Sequence, residues 1–171
     1  KLTFAQTGIG SDTGTNTVVT VSAAAKSMAV LPYEEWFDDG ATVTYGYEAL
    51  VNTSPASTKR YRRDSVTGIA SGTAVHAGST ITGNYVTQWQ LTFTASGLPI
   101  GGASATGTNT VVTVNAVNKT AGQLAFSEWY DNGTNVPYLY STTISADPVS
   151  SVQYELTNGG SLPSSPINVT S

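Results

Sequence analysis

The chain has 171 residues, a formal net charge of −4 and no cysteine, and only 11% of its residues are charged, against about 25% in an ordinary soluble protein. The absence of cysteine excludes disulfides, thiolate nucleophiles and Cys-based zinc or iron–sulfur sites. A sequence pI near 4.7 argues against a nucleic-acid binder, and a polar, weakly ionic surface rich in Thr, Ser and Asn is typical of an extracellular protein.

The first predicted strand, with Leu2 and Phe4, precedes a motif that occurs twice. Residues 13–21 read Thr-Gly-Thr-Asn-Thr-Val-Val-Thr-Val, and residues 106–114 repeat all nine letters 93 positions later. A repeat of about 90 residues is a domain-sized module, since solenoid repeats of about 20–50 residues cannot bury a core alone. The same offset pairs Lys26 with Lys119, Glu35 with Glu128, Trp36 with Trp129, Gly40 with Gly133, Val43 with Val136, Tyr45 with Tyr138 and Tyr47 with Tyr140.

Short strands with a period of two follow along each module. Residues 43–47 alternate Val, Tyr and Tyr with polar or small residues, and residues 136–140 repeat the pattern. Asp39-Gly40 and Asn132-Gly133 precede these strands and supply turn residues that tolerate positive φ. Residues 22–28 and their counterpart 115–122 are interpreted as a connection or hairpin. The sequence therefore predicts an all-β fold of two tandem immunoglobulin-like antiparallel β-sandwiches, residues 1–89 and 90–171, with roughly seven strands each.

Trp36 and Trp129 are predicted to anchor the two cores, with a sugar-stacking surface as the alternative. The basic segment 59–63 is interpreted as a solvated strand face, or as a contact between subunits that faces the acidic second module.

Candidate chemical sites are few. The acidic cluster Glu34, Glu35, Asp38 and Asp39 raises the alternative of a calcium site, and His76 is the only histidine. Lys26 and Lys119 raise the alternative of a lysine amide crosslink. No nucleophile elbow, phosphate-binding loop or zinc-ligand spacing is present, so the sequence predicts no enzyme, no catalytic residue, no cofactor and no metal.

The second module is short relative to the first. The offset of 93 places Val169 opposite His76 and Ser171 opposite Gly78, so no residue corresponds to the segment 79–90, which is predicted to form the last strand of module one. The alternation of that segment continues through Leu91 and Phe93, which predicts a stiff junction without a linker. The second sandwich is therefore predicted to lack its own final strand, which leaves an open sheet edge.

Three explanations for this edge remain open. A neighbouring subunit inserts a strand, the following part of a longer array supplies it, or residues 161–171 rebuild the edge. For the first explanation, Leu2 and Phe4 together with Ile167 and Val169 are the predicted residues of intersubunit strand exchange.

The Gln-Leu-Thr-Phe-Thr-Ala-Ser-Gly-Leu string at residues 90–98, the nine-residue motif, and Trp-Phe-Asp-Asp-Gly or Trp-Tyr-Asp-Asn-Gly before Val-x-Tyr-x-Tyr resemble the tandem immunoglobulin-like repeats of secreted prokaryotic, especially archaeal, cell-surface proteins. The Ser, Thr, Asn and Tyr-rich style also resembles the glycosylated thread filaments of thermoacidophilic archaea, and this resemblance implies donor-strand polymers.

The sequence thus predicts an extracellular, cell-surface structural subunit that polymerises head to tail into a filament or pilus-like fibre. The alternative is an adhesion or carbohydrate-binding repeat of a larger surface protein. Glycans or surfaces are further expected partners, and neither nucleic acid nor a membrane span is expected. Four sequons are candidate N-glycosylation sites, at Asn52, Asn118, Asn132 and Asn168.

Overall fold

The computed structural model describes residues 1–98, 106–146, 152–157 and 162–170, and the chain divides into two compact units, Lys1–Trp89 (unit 1) and Gln90–Ser171 (unit 2). The described residues contain many short strands, three short 3-10 turns and no α-helix, which confirms the all-β fold class.

Ten strands begin in unit 1. They are β1 (Leu2–Thr7), β2 (Thr17–Val21), β3 (Ala24–Ser27), β4 (Tyr33–Glu35), β5 (Thr42–Val43), β6 (Tyr45–Tyr47), β7 (Leu50–Asn52), β8 (Lys59–Thr67), β9 (Thr73–Ala74) and β10 (Ser79–Phe93), of which residues 90–93 belong to unit 2. The described residues of unit 2 add β11 (Thr110–Val114), β12 (Val117–Thr120), β13 (Phe126–Asp131), β14 (Asn135–Val136), β15 (Tyr138–Tyr140), β16 (Thr143–Ser145), β17 (Gln153–Glu155) and β18 (Ile167–Asn168).

Unit 1 is built from two principal sheets and one two-stranded ribbon. The larger sheet has the order β4-β1-β10-β8-β7, the smaller has the order β3-β2-β6, and β5 pairs with β9. The first strand β1 runs parallel to β10, with Leu2 opposite Ser79, whereas β8 runs antiparallel to β10 on its other side. The larger sheet contributes Phe4 and Ile81 to the core, and the smaller sheet contributes Val19 and Val21, so the core lies between the two sheets.

The segment 22–28, interpreted as a connection or hairpin, forms a hairpin between β2 and β3. Its two turn residues, Ser22 and Ala23, have φ of 47° and 68°, and their counterparts Asn115 and Ala116 have φ of 48° and 64°. A two-residue turn with positive φ at both positions matches the right-handed twist of the strands, and Asn-Gly or Asp-Gly is its usual sequence. Alanine in this conformation is strained, because its Cβ approaches the following carbonyl oxygen.

The predicted glycine turns are confirmed. Gly40 and Gly133 have φ of 78° and 86°, which is the left-handed region where glycine has no Cβ to clash.

The pairings of unit 1 recur in unit 2. Strands β12-β11-β15 correspond to β3-β2-β6, the pair β14–β18 to β5–β9, and the pair β16–β17 to β7–β8. The buried valines of the repeated motif, Val111, Val112 and Val114, occupy the same positions in β11 as Val18, Val19 and Val21 do in β2.

The prediction that Trp36 anchors the core is wrong. Its side chain is 80% exposed, because residues 33–37 alternate and Tyr33 and Phe37 are the ones that pack against the core. Trp36 therefore lies on the outer side together with Glu34. Trp129 is half-buried, and its neighbour Tyr130 is the buried aromatic residue.

The equivalence of Val169 and His76, deduced from a constant offset, is also wrong. The Gly40 amide donates to the Val75 carbonyl at 2.8 Å, and the Gly133 amide donates to the Val169 carbonyl at 2.7 Å. Val169 is therefore the counterpart of Val75, and both valines are buried.

Candidate functional site

The candidate site is a groove in unit 2, at the place that β10 fills in unit 1. In unit 1, β10 lies between β1 and β8, since its residues 79–84 pair with β1 and its residues 82–89 pair with β8. In the described part of unit 2, residues 90–93 correspond to β1 and β17 corresponds to a segment of β8. Among these described residues, β17 pairs with β16 alone, and no strand lies between β17 and residues 90–93.

A groove of about 190 Å³ results from this arrangement. Val111 and Ile144, both buried, form part of its apolar floor, and Leu156, 43% exposed, lies on its rim. Further residues that line the groove include Thr94, Ala95, Leu98, Tyr140, Ser141, Tyr154 and Leu162.

The two units differ in the burial of matching side chains. Tyr61 of β8 is 2% exposed in unit 1, whereas its counterpart Tyr154 in β17 is only half-buried. Leu2 is fully buried, and its counterpart Leu91 is half-buried. These residues lie next to the strand that is present in unit 1, so the loss of burial is located at the groove.

The contacts of Tyr47 show what β10 contributes in unit 1. The Tyr47 hydroxyl lies 2.7 Å from the Ala5 carbonyl and 2.9 Å from the Ile81 carbonyl, which share its one proton, and burial raises its pKa to about 12. Its counterpart Tyr140 donates to the Thr94 carbonyl at 2.8 Å, and burial likewise raises the pKa of Tyr140. Thr94 takes the place of Ala5, and the groove lies where the strand that contains Ile81 runs in unit 1.

Tyr85 is the second anchor of the strand in unit 1. Its hydroxyl lies 3.3 Å from the Val18 carbonyl and 2.8 Å from the Glu48 carbonyl, and burial raises its pKa. The corresponding backbone is preserved in unit 2. The Ser141 amide donates to the Val111 carbonyl there, as the Glu48 amide donates to the Val18 carbonyl in unit 1, and both distances are 2.9 Å. The groove therefore retains the backbone that binds a tyrosine in unit 1.

The four residues predicted for strand exchange lie in different units. Leu2 and Phe4 are fully buried in β1 of unit 1, between β4 and β10. Ile167 is half-buried in β18, and Val169 beside it is 2% exposed. β18 pairs with β14 in the way that β9 pairs with β5, so the described part of segment 161–171 lies outside the groove edge, apart from Leu162.

All four sequon asparagines, Asn52, Asn118, Asn132 and Asn168, are exposed. The Thr113 hydroxyl donates to the Asn118 side chain at 2.8 Å, and the Asn168 amide donates to Asn135 at 2.9 Å.

The acidic cluster does not converge on one point. Glu34 forms an ion pair with Lys1 at 2.9 Å, Glu35 accepts a hydrogen bond from Tyr33 at 3.1 Å, and Asp39 lies 3.1 Å from the exposed His76. Among the described residues, no group of three or more His, Cys, Asp or Glu side chains is arranged to hold a metal ion.

The two isolated lysines share a different environment. The Lys26 amine lies 3.9 Å from the centre of the Tyr33 ring, and the Lys119 amine lies 4.0 Å from the centre of the Phe126 ring. Each lysine thus makes a cation–π contact within its own unit.

The basic segment 59–63 is largely engaged inside unit 1. Lys59 pairs with Asp12 at 3.0 Å, Arg60 donates to Gln88 at 2.8 Å, and Arg63 donates to the Tyr47 carbonyl.

No protein family, curated protein or solved structure matches this chain in sequence or structure comparisons. Across the residues that the structure describes, no helix has the length and hydropathy needed to cross a membrane.

The sequence pointed to an open edge, but it did not identify the residues that form the groove. Tyr140, Val111 and Ser141 had to be found from the structure, because their role depends on contacts between strands far apart in the chain. One signal was available: each has a counterpart in module one, namely Tyr47, Val18 and Glu48.

Proposed function

We propose that this chain is a non-enzymatic structural subunit of an extracellular fibre, in which unit 2 takes up a β-strand from a neighbouring subunit and so links the subunits head to tail. The observation that carries the proposal is the groove between β17 and residues 90–93, which is filled by β10 in unit 1. Unpaired strand edges beside apolar surface favour the addition of a strand.

The proposal includes a finer description of the fold. Both units are immunoglobulin-like sandwiches, which is supported by the core of unit 1 between two sheets and by the matching strand pairs of unit 2. The four exposed sequon asparagines and the low content of charged residues support an extracellular setting.

Fibre formation is tested with the full chain. Negative-stain electron microscopy and light scattering over a range of concentrations are expected to show fibres and a mass that increases with concentration. Leu156→Asp places a charge on the groove rim and is expected to prevent assembly, whereas the matched change Leu139→Asp, at a position 71% exposed on β15 and outside the groove lining, leaves it intact. A monomer at all concentrations, or equal assembly of the two variants, would refute the proposal.

A second candidate function is supported by Trp36. An indole that is 80% exposed offers a flat apolar surface of the kind that stacks on sugar rings, so the alternative is an adhesion or carbohydrate-binding repeat. Polysaccharide pull-down with the native chain and with Trp36→Ala tests it. Binding that the substitution abolishes supports this function, and binding that is unchanged or absent contradicts it.

A further inference from the structure

We infer that Asn132 is a site of deamidation and that strand β18 determines how fast it reacts. Asn132 is exposed and precedes Gly133 in the turn between β13 and β14. The reaction is intramolecular and needs only water as a co-reactant. The inference is independent of strand uptake, since it concerns the pair β14–β18, which lies outside the groove lining.

Deamidation of an asparagine begins at the backbone amide of the next residue. The Gly133 nitrogen loses its proton and forms a bond with Cγ of Asn132, while the bond from Cγ to Nδ2 breaks and that nitrogen takes up one proton and leaves as ammonia. Water then opens the resulting succinimide ring at one of its two carbonyls, which gives aspartate or isoaspartate. Glycine favours the first step, because it has no Cβ to obstruct the attack.

The sequence singles out Asn132 among the sequon asparagines. The Asn-Gly pair occurs twice in the chain, at residues 132–133 and 158–159, and the second pair lies outside the described residues. The other sequon asparagines are followed by Thr53, Lys119 and Val169, whose side chains hinder the attack. Asn132 is therefore the sequon asparagine at which ring closure meets the least steric obstruction.

The fold protects the attacking amide. The Gly133 amide donates to the Val169 carbonyl at 2.7 Å, and the Val169 amide donates to the Thr134 carbonyl at 2.9 Å. An amide that donates to a carbonyl loses its proton less readily, and a paired backbone cannot turn toward the side chain of Asn132. Val169 is 2% exposed, so its packing holds both hydrogen bonds in place. Reaction at Asn132 therefore requires that Val169 first leaves its position.

The segment that provides this protection is short. β18 consists of Ile167 and Asn168, and among the described residues it pairs with β14 alone. Local opening needs less free energy where few contacts are lost. Opening of β18, rather than unfolding of unit 2 as a whole, therefore determines the rate of deamidation.

Unit 1 shows which product the turn accepts. Asp39 occupies the matching position, and there the Ala41 amide donates to the Asp38 carbonyl at 3.0 Å. In unit 2 the Thr134 amide donates to the Asp131 carbonyl at the same distance of 3.0 Å. Aspartate therefore fits this turn. Isoaspartate adds a carbon atom to the backbone of the turn, which changes its hydrogen bonding, so this product leaves β18 unpaired.

The test measures two reactions of the same amide. The full chain is produced in a host that does not glycosylate asparagine, and it is incubated beside a peptide of residues 128–138, which contains the turn but not β18. Deamidation at Asn132 is followed by peptide mapping with mass spectrometry, and hydrogen exchange is measured at the Gly133 amide. Because both reactions require the same opening, the fold is expected to slow both by the same factor to within about threefold, and by at least about tenfold.

Two matched valine substitutions locate the protection. Val169→Ala removes buried methyl groups from the protecting segment and is expected to accelerate deamidation at Asn132 about tenfold. Val112→Ala makes the same change in β11, where Val112 is fully buried and pairs with β12 and β15, and it is expected to leave the rate within about twofold. Circular dichroism checks that both variants fold.

Equal acceleration by the two valine variants, or equal deamidation of the native chain and the peptide, overturns the inference. If Val169→Ala does not fold, the native chain still decides the question, since deamidation and exchange slowed by clearly different factors would show that the bond between Gly133 and Val169 does not limit the reaction. The products give a further check. An Asn132→Asp chain is expected to keep slow exchange at Gly133, and the isoaspartyl fraction, separated by chromatography, is expected to lose it; protection retained in that fraction would refute the release of β18.

Discussion

Substitution of Gly83 in unit 1 tests the packing on which the groove argument depends. The added Cβ of Gly83→Ala would lie 2.4 Å from the Tyr47 ring, and Tyr47 is 4% exposed and held by the Ala5 and Ile81 carbonyls, which share its hydroxyl proton. Either the ring or β10 must move. Overpacking typically costs about 1–3 kcal/mol, and displacement of the hydroxyl from the two carbonyls that share its proton adds about 1 kcal/mol.

We therefore expect Gly83→Ala to lower the free energy of unfolding of unit 1 by about 2–3 kcal/mol, which corresponds to a fall in Tm of roughly 10–20 °C for a domain of this size. The matched control is Gly46→Ala in β6, where an added Cβ meets nothing within 4 Å. Its counterpart Leu139 is 71% exposed, so a side chain is tolerated on this face. This control is expected to stabilise the strand by about 0.5–1 kcal/mol, because alanine loses less backbone entropy than glycine.

The measurement is guanidinium unfolding followed by hydrogen exchange at amides of unit 1, so that the two units are read separately. If Gly83→Ala and Gly46→Ala have the same effect, the close approach of Gly83 to Tyr47 is not a constraint on the fold.

Three further predictions concern the turns, the second anchor and pH. Ala116→Gly is expected to stabilise unit 2 by about 1 kcal/mol because it relieves a φ of 64°, whereas Ala25→Gly within β3 is expected to destabilise unit 1; chemical unfolding distinguishes these signs. Tyr85→Phe is expected to cost unit 1 about 1–3 kcal/mol, since the Val18 and Glu48 carbonyls lose its hydroxyl, and unchanged stability in urea titration would contradict that role. Because the pKa of Tyr47 is raised to about 12, its contribution to stability is present below pH 10 and is lost as pH rises from 10 to 12, by up to about 2 kcal/mol. Tyr47→Phe should make this alkaline decline shallower without removing it, because burial also raises the pKa of Tyr85 and of Tyr140. An identical decline in both proteins would exclude Tyr47 as a source.

Much of the strand pattern could be predicted from the sequence because it depends on local alternation. The run that contains Val19 and Val21 is strand β2, and Gly40 adopts the positive φ that its turn requires. The run from Val43 to Tyr47, expected as one strand, is divided at Thr44 into β5 and β6, which belong to different sheets. The duplication also made each observation in one module a check on the other.

The errors arose where long-range pairing decides the outcome. Whether Trp36 or Phe37 faces the core depends on how β4 pairs with β1, about thirty residues earlier in the chain. The amino-acid sequence alone does not determine that register. The left-handed turn at Ser22 and Ala23 was not predicted either, since neither residue favours positive φ. The groove shows the same division: the strand pattern predicted an open edge, but only the fold brings Tyr140 to the lining of the groove.

Comparison of the two units isolates the contribution of one strand. Tyr61 and Tyr154 are matching residues in matching strands, as are Leu2 and Leu91, and in each pair only the member in unit 1, which lies beside β10, is fully buried. Full burial of a large apolar side chain contributes about 1.5–3 kcal/mol, so under the proposed function the further burial of several partly buried residues favours strand uptake. Anything that binds the folded state alone raises its stability in proportion to the logarithm of its concentration. The thermal transition of unit 2 should therefore rise as the peptide of residues 79–90 is added, while the transition of unit 1, whose own strand is in place, stays constant. A rise of equal size in both units would show that the peptide binds elsewhere.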